Sequence, residues 1–131
     1  MMISFFAAPI LSLGLIAMQA APQTGDVPAD QSAQTARLTL EQTTSLRCSA
    51  AFALVSYGQS QGNADALKWP VKEAPAREFF VRTTANVMDE TGLSREAVTE
   101  KLAAEAQKLI DNNALEKVMP ACLLMLEGAG L

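Results

Sequence analysis

Few residues of this chain could do chemistry, and two cysteines stand out among them. Cys48 and Cys122 lie more than half the chain apart, and the 131 residues contain no other cysteine and no histidine. Without histidine, Ser-His-Asp and Cys-His nucleophilic systems and most catalytic zinc sites are excluded within one chain. A redox-active pair is usually closely spaced, as in C-x-x-C, and a metal site would need further ligands. The spacing therefore favours a structural disulfide between Cys48 and Cys122 over a redox or metal centre.

Carboxylates are the next candidates for chemistry. Glu96, Glu100 and Glu105 could form an acid-base or metal cluster. However, Lys101 and Lys108 lie among them at helical spacing, which is typical of the solvated face of a helix. We therefore predict no catalytic residue, no metal site and no cofactor.

Three methionines, Met88, Met119 and Met125, could offer soft thioether ligands to copper. Their spacing is irregular, and methionine commonly fills gaps in small hydrophobic cores. We therefore predict a packing role for all three.

The charge balance argues against a nucleic-acid partner. The ten basic residues are scattered along the chain and outnumbered by 14 acidic residues, so that the net charge is -4. Proteins that bind nucleic acid usually concentrate positive charge on one face. No glycine-rich loop that could hold a phosphate is present either.

The first 21 residues carry no Lys, Arg, Asp or Glu, and an apolar stretch runs from Phe5 to Met18. Such a stretch, followed by small residues, is typical of a secretory signal peptide. We predict a signal peptide over residues 1–21 that is cleaved near Ala20 or Ala21, and hence an exported protein, periplasmic or secreted. The alternatives are an uncleaved membrane anchor and a buried helix of a cytosolic domain. Against the anchor, polar and helix-breaking residues interrupt a run that is already at the lower limit for spanning a bilayer.

The rest of the chain divides into a linker and a domain. Residues 22–37 contain a single valine and no aromatic residue, which predicts a flexible linker. Residues 38–131 are long enough for one small helical domain, whose core is marginal by burial alone. In an oxidising compartment the two cysteines are expected to pair, and closing so long a loop would stabilise the domain by about 4 kcal/mol.

Helical periodicity dominates the domain, and no alternating strand pattern competes with it. Thr39 and Gln42 form a capping-box signature, Gly92 is suited to a left-handed helix stop, and Ser94 is a helix cap. Pro120 is expected to break any helix that starts before it. The predicted elements are a helix over about Leu40–Gln59, a short turn around Asp65–Trp69, a helix over Pro75–Thr91, a helix from Ser94 to Asn112 or Asn113, a turn over Ala114–Val118 and a last helix over Pro120–Glu127.

The inward faces of these helices follow from apolar and small residues at helical spacing. We predict an all-α fold, a small helical bundle of four or five elements closed by one disulfide. The disulfide would clamp the last helix onto the middle of the first. The predicted inward residues are Leu40, Thr44, Cys48, Ala51, Phe52 and Val55 of the first helix, Ala76, Phe79, Phe80, Thr83, Val87 and Met88 of the second, and Val98, Leu102, Ala106, Leu109 and Ile110 of the third.

Two segments carry a resemblance to known proteins. RCSAAFALV around Cys48 and MPACLLMLEGAGL around Cys122 resemble the ends of uncharacterised small exported two-cysteine α-helical proteins of bacteria. This resemblance covers most of the domain and implies no activity. A looser similarity is to the periplasmic acid-stress chaperones, which join two helices of a small bundle by one disulfide after a cleaved signal. Those chaperones end in a lysine-rich tail, whereas this chain ends in the apolar LLMLEGAGL, so no site residues are transferred.

Four apolar side chains are candidate contacts with a partner: Trp69 in a loop, and Leu123, Leu124 and Leu126 near the carboxyl terminus. The segment LLML is apolar on every side, and a short helix in a small bundle buries only part of its circumference. We therefore predict that part of this segment contacts an unknown protein partner or a second copy of the chain.

These features together predict a non-catalytic exported helical protein that acts through protein-protein contacts in the bacterial envelope. One alternative is an acid-stress chaperone-like protein, whose response would come from carboxylate protonation below about pH 5. A small periplasmic enzyme is the other alternative, and it would need a pocket with convergent polar side chains. We predict no nucleic-acid partner, and no membrane contact beyond an uncleaved signal anchor.

Overall fold

The computed structural model describes residues 37–131, so the predicted signal peptide and all but the last residue of the predicted linker lie outside the described residues. Within residues 37–131 the chain forms five α-helices and no strand. This result confirms the predicted all-α class and the small bundle. The helices are α1 (Leu40–Ser60), α2 (Ala64–Leu67), α3 (Glu73–Thr91), α4 (Arg95–Asp111) and α5 (Leu115–Gly128).

Local signals place the helix ends where the sequence predicts them. The Thr39 hydroxyl accepts from the Gln42 N–H at 3.1 Å, and the Gln42 side chain accepts from the Thr39 N–H at 2.9 Å. This reciprocal pair confirms the capping box at the start of α1. Ser94 caps α4 by accepting from the Ala97 N–H. Gly92 ends α3 with a φ of 71°, in the left-handed region that favours glycine.

The core forms around α1, which contacts each of the other four helices. A first cluster joins α1 to α3, α4 and α5, and in it the rings of Phe52 and Phe79 meet edge to face at 5.3 Å between centroids. A second cluster joins α1, α3 and α4 around Leu46, Val87 and Val98. The two clusters follow one another along α1, so this helix positions all the others.

The predicted disulfide is present between Cys48 of α1 and Cys122 of α5. Both residues are 1% exposed and belong to the first cluster. The bridge joins the middle of the first helix to the middle of the last, across a Cα–Cα distance of 5.2 Å. The predicted clamp between first and last helix is therefore confirmed.

Pro120 does not break the last helix, and the predicted turn over Ala114–Val118 is wrong. α5 runs without interruption over Leu115–Gly128, with Pro120 as its sixth residue. The only intrahelical bond that proline removes here is the one to the Glu116 carbonyl, in the first turn of the helix. Pro120 lies on the exposed side, so water can solvate that carbonyl while the buried side keeps its packing.

Two predicted inward residues, Leu40 and Ile110, point to solvent instead. Leu40 is 83% exposed because it is the first residue of α1, where no neighbouring helix covers it. Ile110 is 58% exposed, whereas Leu109 is 2% exposed. Successive helical residues are turned by about 100°, so only one of the two can face the core.

Candidate interaction surfaces

The sulfur atoms of the described residues lie in or beside the two apolar clusters. Cys48 Sγ and Cys122 Sγ are bonded to each other inside the core, and Met125 Sδ lies 3.5 Å from Cys48 Sγ. Met119 is fully buried in the same cluster, whereas Met88 packs against the second cluster with α4. The three thioethers therefore do not converge on one point, and each fills space beside other apolar side chains.

Glu105 corrects the prediction that the α4 carboxylates form one solvated face. Its side chain is 6% exposed and accepts from Arg47 Nε of α1 at 2.9 Å and from Lys108 Nζ of α4 at 2.8 Å. The ion pair ties α4 to the middle of α1. Glu96 and Glu100 are exposed, as predicted.

The environment of Glu105 acts on its charge in two opposite ways. Burial opposes ionisation, but the hydrogen bonds from Lys108 and Arg47 outweigh it and hold the pKa of Glu105 below its usual value. The carboxylate is thus stabilised in its charged form at neutral pH. Its arrangement is that of a bridge between helices, because Arg47 of α1 and Lys108 of α4 both donate to it.

Trp69 lies half-buried in the segment between α2 and α3. It packs against the first cluster, and its carbonyl accepts from Gln59 Nε2 of α1 at 3.0 Å. The Lys68 ammonium lies 5.8 Å from the ring centroid and also pairs with Glu116 of α5. The ring therefore borders a cleft of about 430 Å³ between α1, α2 and the start of α5, with Leu54 on its wall.

The three leucines predicted as partner contacts have different surroundings. Leu126 is 6% exposed and belongs to the first cluster, and Leu123 is half-buried against it. Leu124 is 69% exposed on the opposite side of α5. Of the predicted set, Leu124 offers the largest free apolar side chain, and Leu126 is a core residue.

An apolar groove lies between α3 and α4, which we call the α3–α4 groove. Its volume is about 450 Å³. Val81 stands at its edge and is 52% exposed, whereas Val98 at its base is 2% exposed. The full lining is Phe80, Val81, Thr84, Ala85, Met88, Asp89, Arg95, Val98 and Thr99.

This groove was not predicted from the sequence, although the sequence contains one signal for it. Phe80 and Met88 belonged to the predicted inward face of α3, but they are only half-buried, because they lie at the border between core and groove. Val81 adds a bulky apolar residue beyond that face. A helix whose apolar surface is wider than its core contact leaves an apolar strip for another molecule.

A smaller cleft of about 220 Å³ lies between α1 and α3 and is lined mostly by polar side chains, among them Gln42, Asn86 and Glu90. Among residues 37–131, no three Cys, Asp or Glu side chains are grouped so that they could hold a metal ion. Nor is any helix in this range long and apolar enough to span a bilayer. No protein-family model matches the chain, and no curated protein or solved structure is significantly similar to it.

Proposed function

We propose that this chain is a non-catalytic exported protein of the bacterial envelope that acts through protein-protein contacts. The absence of histidine, the buried disulfide and the signal-like segment over residues 1–21 support this proposal. The observation that carries it is the α3–α4 groove, an apolar recess on the surface of the bundle.

The groove defines the chemistry of the partner. Its base and one edge are apolar, and Met88 can adjust its conformation to the side chain that enters. Asp89 of α3 and Arg95 of α4 line the groove, and neither forms an ion pair within residues 37–131. The partner is therefore an amphipathic helical segment that inserts apolar side chains and carries a basic group for Asp89 and an acidic group for Arg95.

Site-specific crosslinking in the native envelope tests this proposal. A photoreactive residue replaces Val81 in one variant and Ile110 in a control, since both positions are more than half exposed but only Val81 lines the groove. We expect one protein to crosslink at position 81 and not at position 110. The same products from both positions, or none from position 81, would contradict the proposal.

The partner that crosslinking identifies is then purified on its own, and its binding to the chain gives a quantitative test. Calorimetry compares the wild-type chain with Val81→Glu and with Ile110→Glu. We expect Val81→Glu to weaken binding at least tenfold, because it places a charge in an apolar contact, and Ile110→Glu to leave it unchanged. Equal affinities for the two variants would show that the partner binds elsewhere.

A second candidate function, an acid-responsive chaperone, is favoured by the Glu105 bridge. Protonation of Glu105 would release Arg47 and Lys108 and weaken the attachment of α4 to α1, beside the second apolar cluster. A hydrophobic dye and an aggregating client protein test this at pH 7 and pH 3. Dye binding and client protection that rise only at pH 3 would support it, whereas an unchanged compact monomer at pH 3 would exclude it.

A further inference from the structure

The outer face of α5 carries a strip of exposed residues, with the charged Lys117 at one end and the charged Glu127 beside the other end. Lys117, Ala121, Leu124 and Gly128 recur at intervals of four, three and four residues, which places them along one side of an α-helix. All four are exposed, and Leu124 projects from the strip with 69% of its surface free. A side chain added at Gly128 would meet no atom within 4 Å, so the surface beside Leu124 is open.

The two end charges oppose the dipole of their own helix. Lys117 lies in the first turn of α5, where the amino end of a helix favours anions. Glu127 lies in the last turn, where the carboxyl end favours cations. Neither side chain forms an ion pair within the described part of the chain. At the ends of α5 the bundle itself supplies Glu116 in the first turn and Arg82 of α3, which donates to the Ala129 carbonyl at 3.2 Å, but it leaves Lys117 and Glu127 unpaired among the described residues.

We infer that the outer face of α5 binds α5 of a second copy of this chain, with the two helices antiparallel. The strip is symmetric about the midpoint between Ala121 and Leu124, because Lys117 and Gly128 lie at equal distances on either side of it. A two-fold axis at this midpoint places each Leu124 on Ala121 of the other copy. Each large Leu124 side chain thus packs against a small Ala121 side chain of the other copy, as close helix packing requires.

The same arrangement compensates both end charges. It places Lys117 of one copy beside Gly128 and Glu127 of the other, and it does so twice by symmetry. Each lysine then lies near the carboxyl end of the facing helix, and each glutamate near its amino end, so both dipoles are complemented. The charge pattern that is unfavourable in one copy becomes favourable in the pair, which is why a second copy fits this face.

The size of the face sets the strength of the association. One helix pair buries less than the roughly 800 Å² per partner of a standard stable interface. The disulfide and the Met119 and Leu126 contacts hold α5 in place, so little ordering is needed on binding. We expect a dissociation constant on the order of 10–100 μM, which local concentration in an envelope could reach.

The first test is sedimentation velocity of the oxidised full-length chain at concentrations from about 5 μM to about 1 mM, which bracket the expected dissociation constant. Leu124→Asn should abolish the dimer, and Leu67→Asn is the matched control, since Leu67 is 57% exposed on α2. Lys117→Glu or Glu127→Lys alone should weaken association roughly tenfold, and the double exchange should restore it. A wild-type monomer at 1 mM, or equal effects of the two asparagine variants, would overturn the inference.

Zero-length carbodiimide crosslinking gives an independent test with an internal control. Lys117 and Glu127 are separated by about 15 Å along one helix, so a direct bond between them must join two copies. Lys68 and Glu116 form an ion pair within one chain and should crosslink in any state of association. Appearance of the Lys117–Glu127 product at high concentration supports the antiparallel pair. Its absence beside a strong Lys68–Glu116 product would refute it, whatever binds in the α3–α4 groove.

Discussion

Replacing Glu105 by glutamine tests the two ion pairs, with Arg47 and with Lys108, that among the described residues have a buried member. A hydrogen bond between charged groups contributes about 1.5–3 kcal/mol when it is well shielded. Here the carboxylate is shielded, but the side chains of Arg47 and Lys108 are 38% and 61% exposed, so solvent screening reduces the gain. An amide keeps an oxygen for one donor and turns an NH₂ group towards the other. We expect Glu105→Gln to lower the free energy of unfolding by about 1–2 kcal/mol at pH 7.

The effect of Glu105→Gln should also depend on pH in a defined direction. The pKa of Glu105 is lowered in the folded state, so the unfolded chain takes up the proton first as the pH falls. The stabilisation is fully present above the ordinary glutamate pKa of about 4.3 and is lost as the pH falls through the lower folded value. The difference between wild type and Glu105→Gln should therefore be constant from pH 7 to about pH 5 and shrink below about pH 4.

Urea unfolding of wild type and Glu105→Gln at pH 7, 5 and 3 measures both effects. Glu100→Gln is the matched control, because Glu100 lies on the same helix, is exposed and forms no ion pair among the described residues. We expect the control to change stability by less than about 0.5 kcal/mol at any pH. The reasoning fails if the two variants are equally stable at pH 7, or if the loss in Glu105→Gln grows on acidification.

Two further changes probe how α1 holds its neighbours. Removing the disulfide by Cys48→Ala with Cys122→Ala should destabilise the fold by about 4 kcal/mol, because the unfolded chain is then no longer closed into a long loop. Calorimetry should show a much lower Tm, and a loss of stability below about 1 kcal/mol would refute this expectation. Gly58→Ala should destabilise by about 1 kcal/mol, because the new Cβ would lie 2.7 Å from the Ala66 Cβ of α2. Gly128→Ala, which meets no neighbour, is its control in the same urea assay and should show no loss.

The parts of this fold that the sequence predicts are those encoded by neighbouring residues. The capping box of Thr39 and Gln42, the left-handed Gly92 and the cap at Ser94 each depend on contacts within a few positions, and all are present. The disulfide was predictable for a different reason. An isolated pair of cysteines in an apolar helical context has few other uses in an oxidising compartment.

The features that the sequence does not predict depend on distant residues. Glu105 has the spacing of a surface carboxylate, and only the approach of Arg47, 58 positions away, makes it a buried bridge. The α3–α4 groove likewise results from how far apart two helices pack, which the periodicity of each helix does not specify. For the same reason the candidate interaction surfaces could be predicted only as exposed apolar residues such as Leu124, without their surroundings.

Pro120 shows how position within a helix outweighs residue type, and it yields a last prediction. Proline inside a helix costs up to about 3 kcal/mol relative to alanine, but here it removes one bond to a solvated carbonyl near the helix start. Pro120→Ala also gives the unfolded chain more conformational freedom, which reduces the expected gain in stability by about 0.4–1 kcal/mol. We expect Pro120→Ala to raise the free energy of unfolding, measured in urea, by about 1–2 kcal/mol.

Pro75→Ala is the control. Pro75 lies in the first turn of α3, where no intrahelical bond is lost, so its replacement should bring no gain in stability. Equal changes in the two variants would mean that α5 tolerates Pro120 without cost, and that the disulfide and core contacts alone keep this helix continuous.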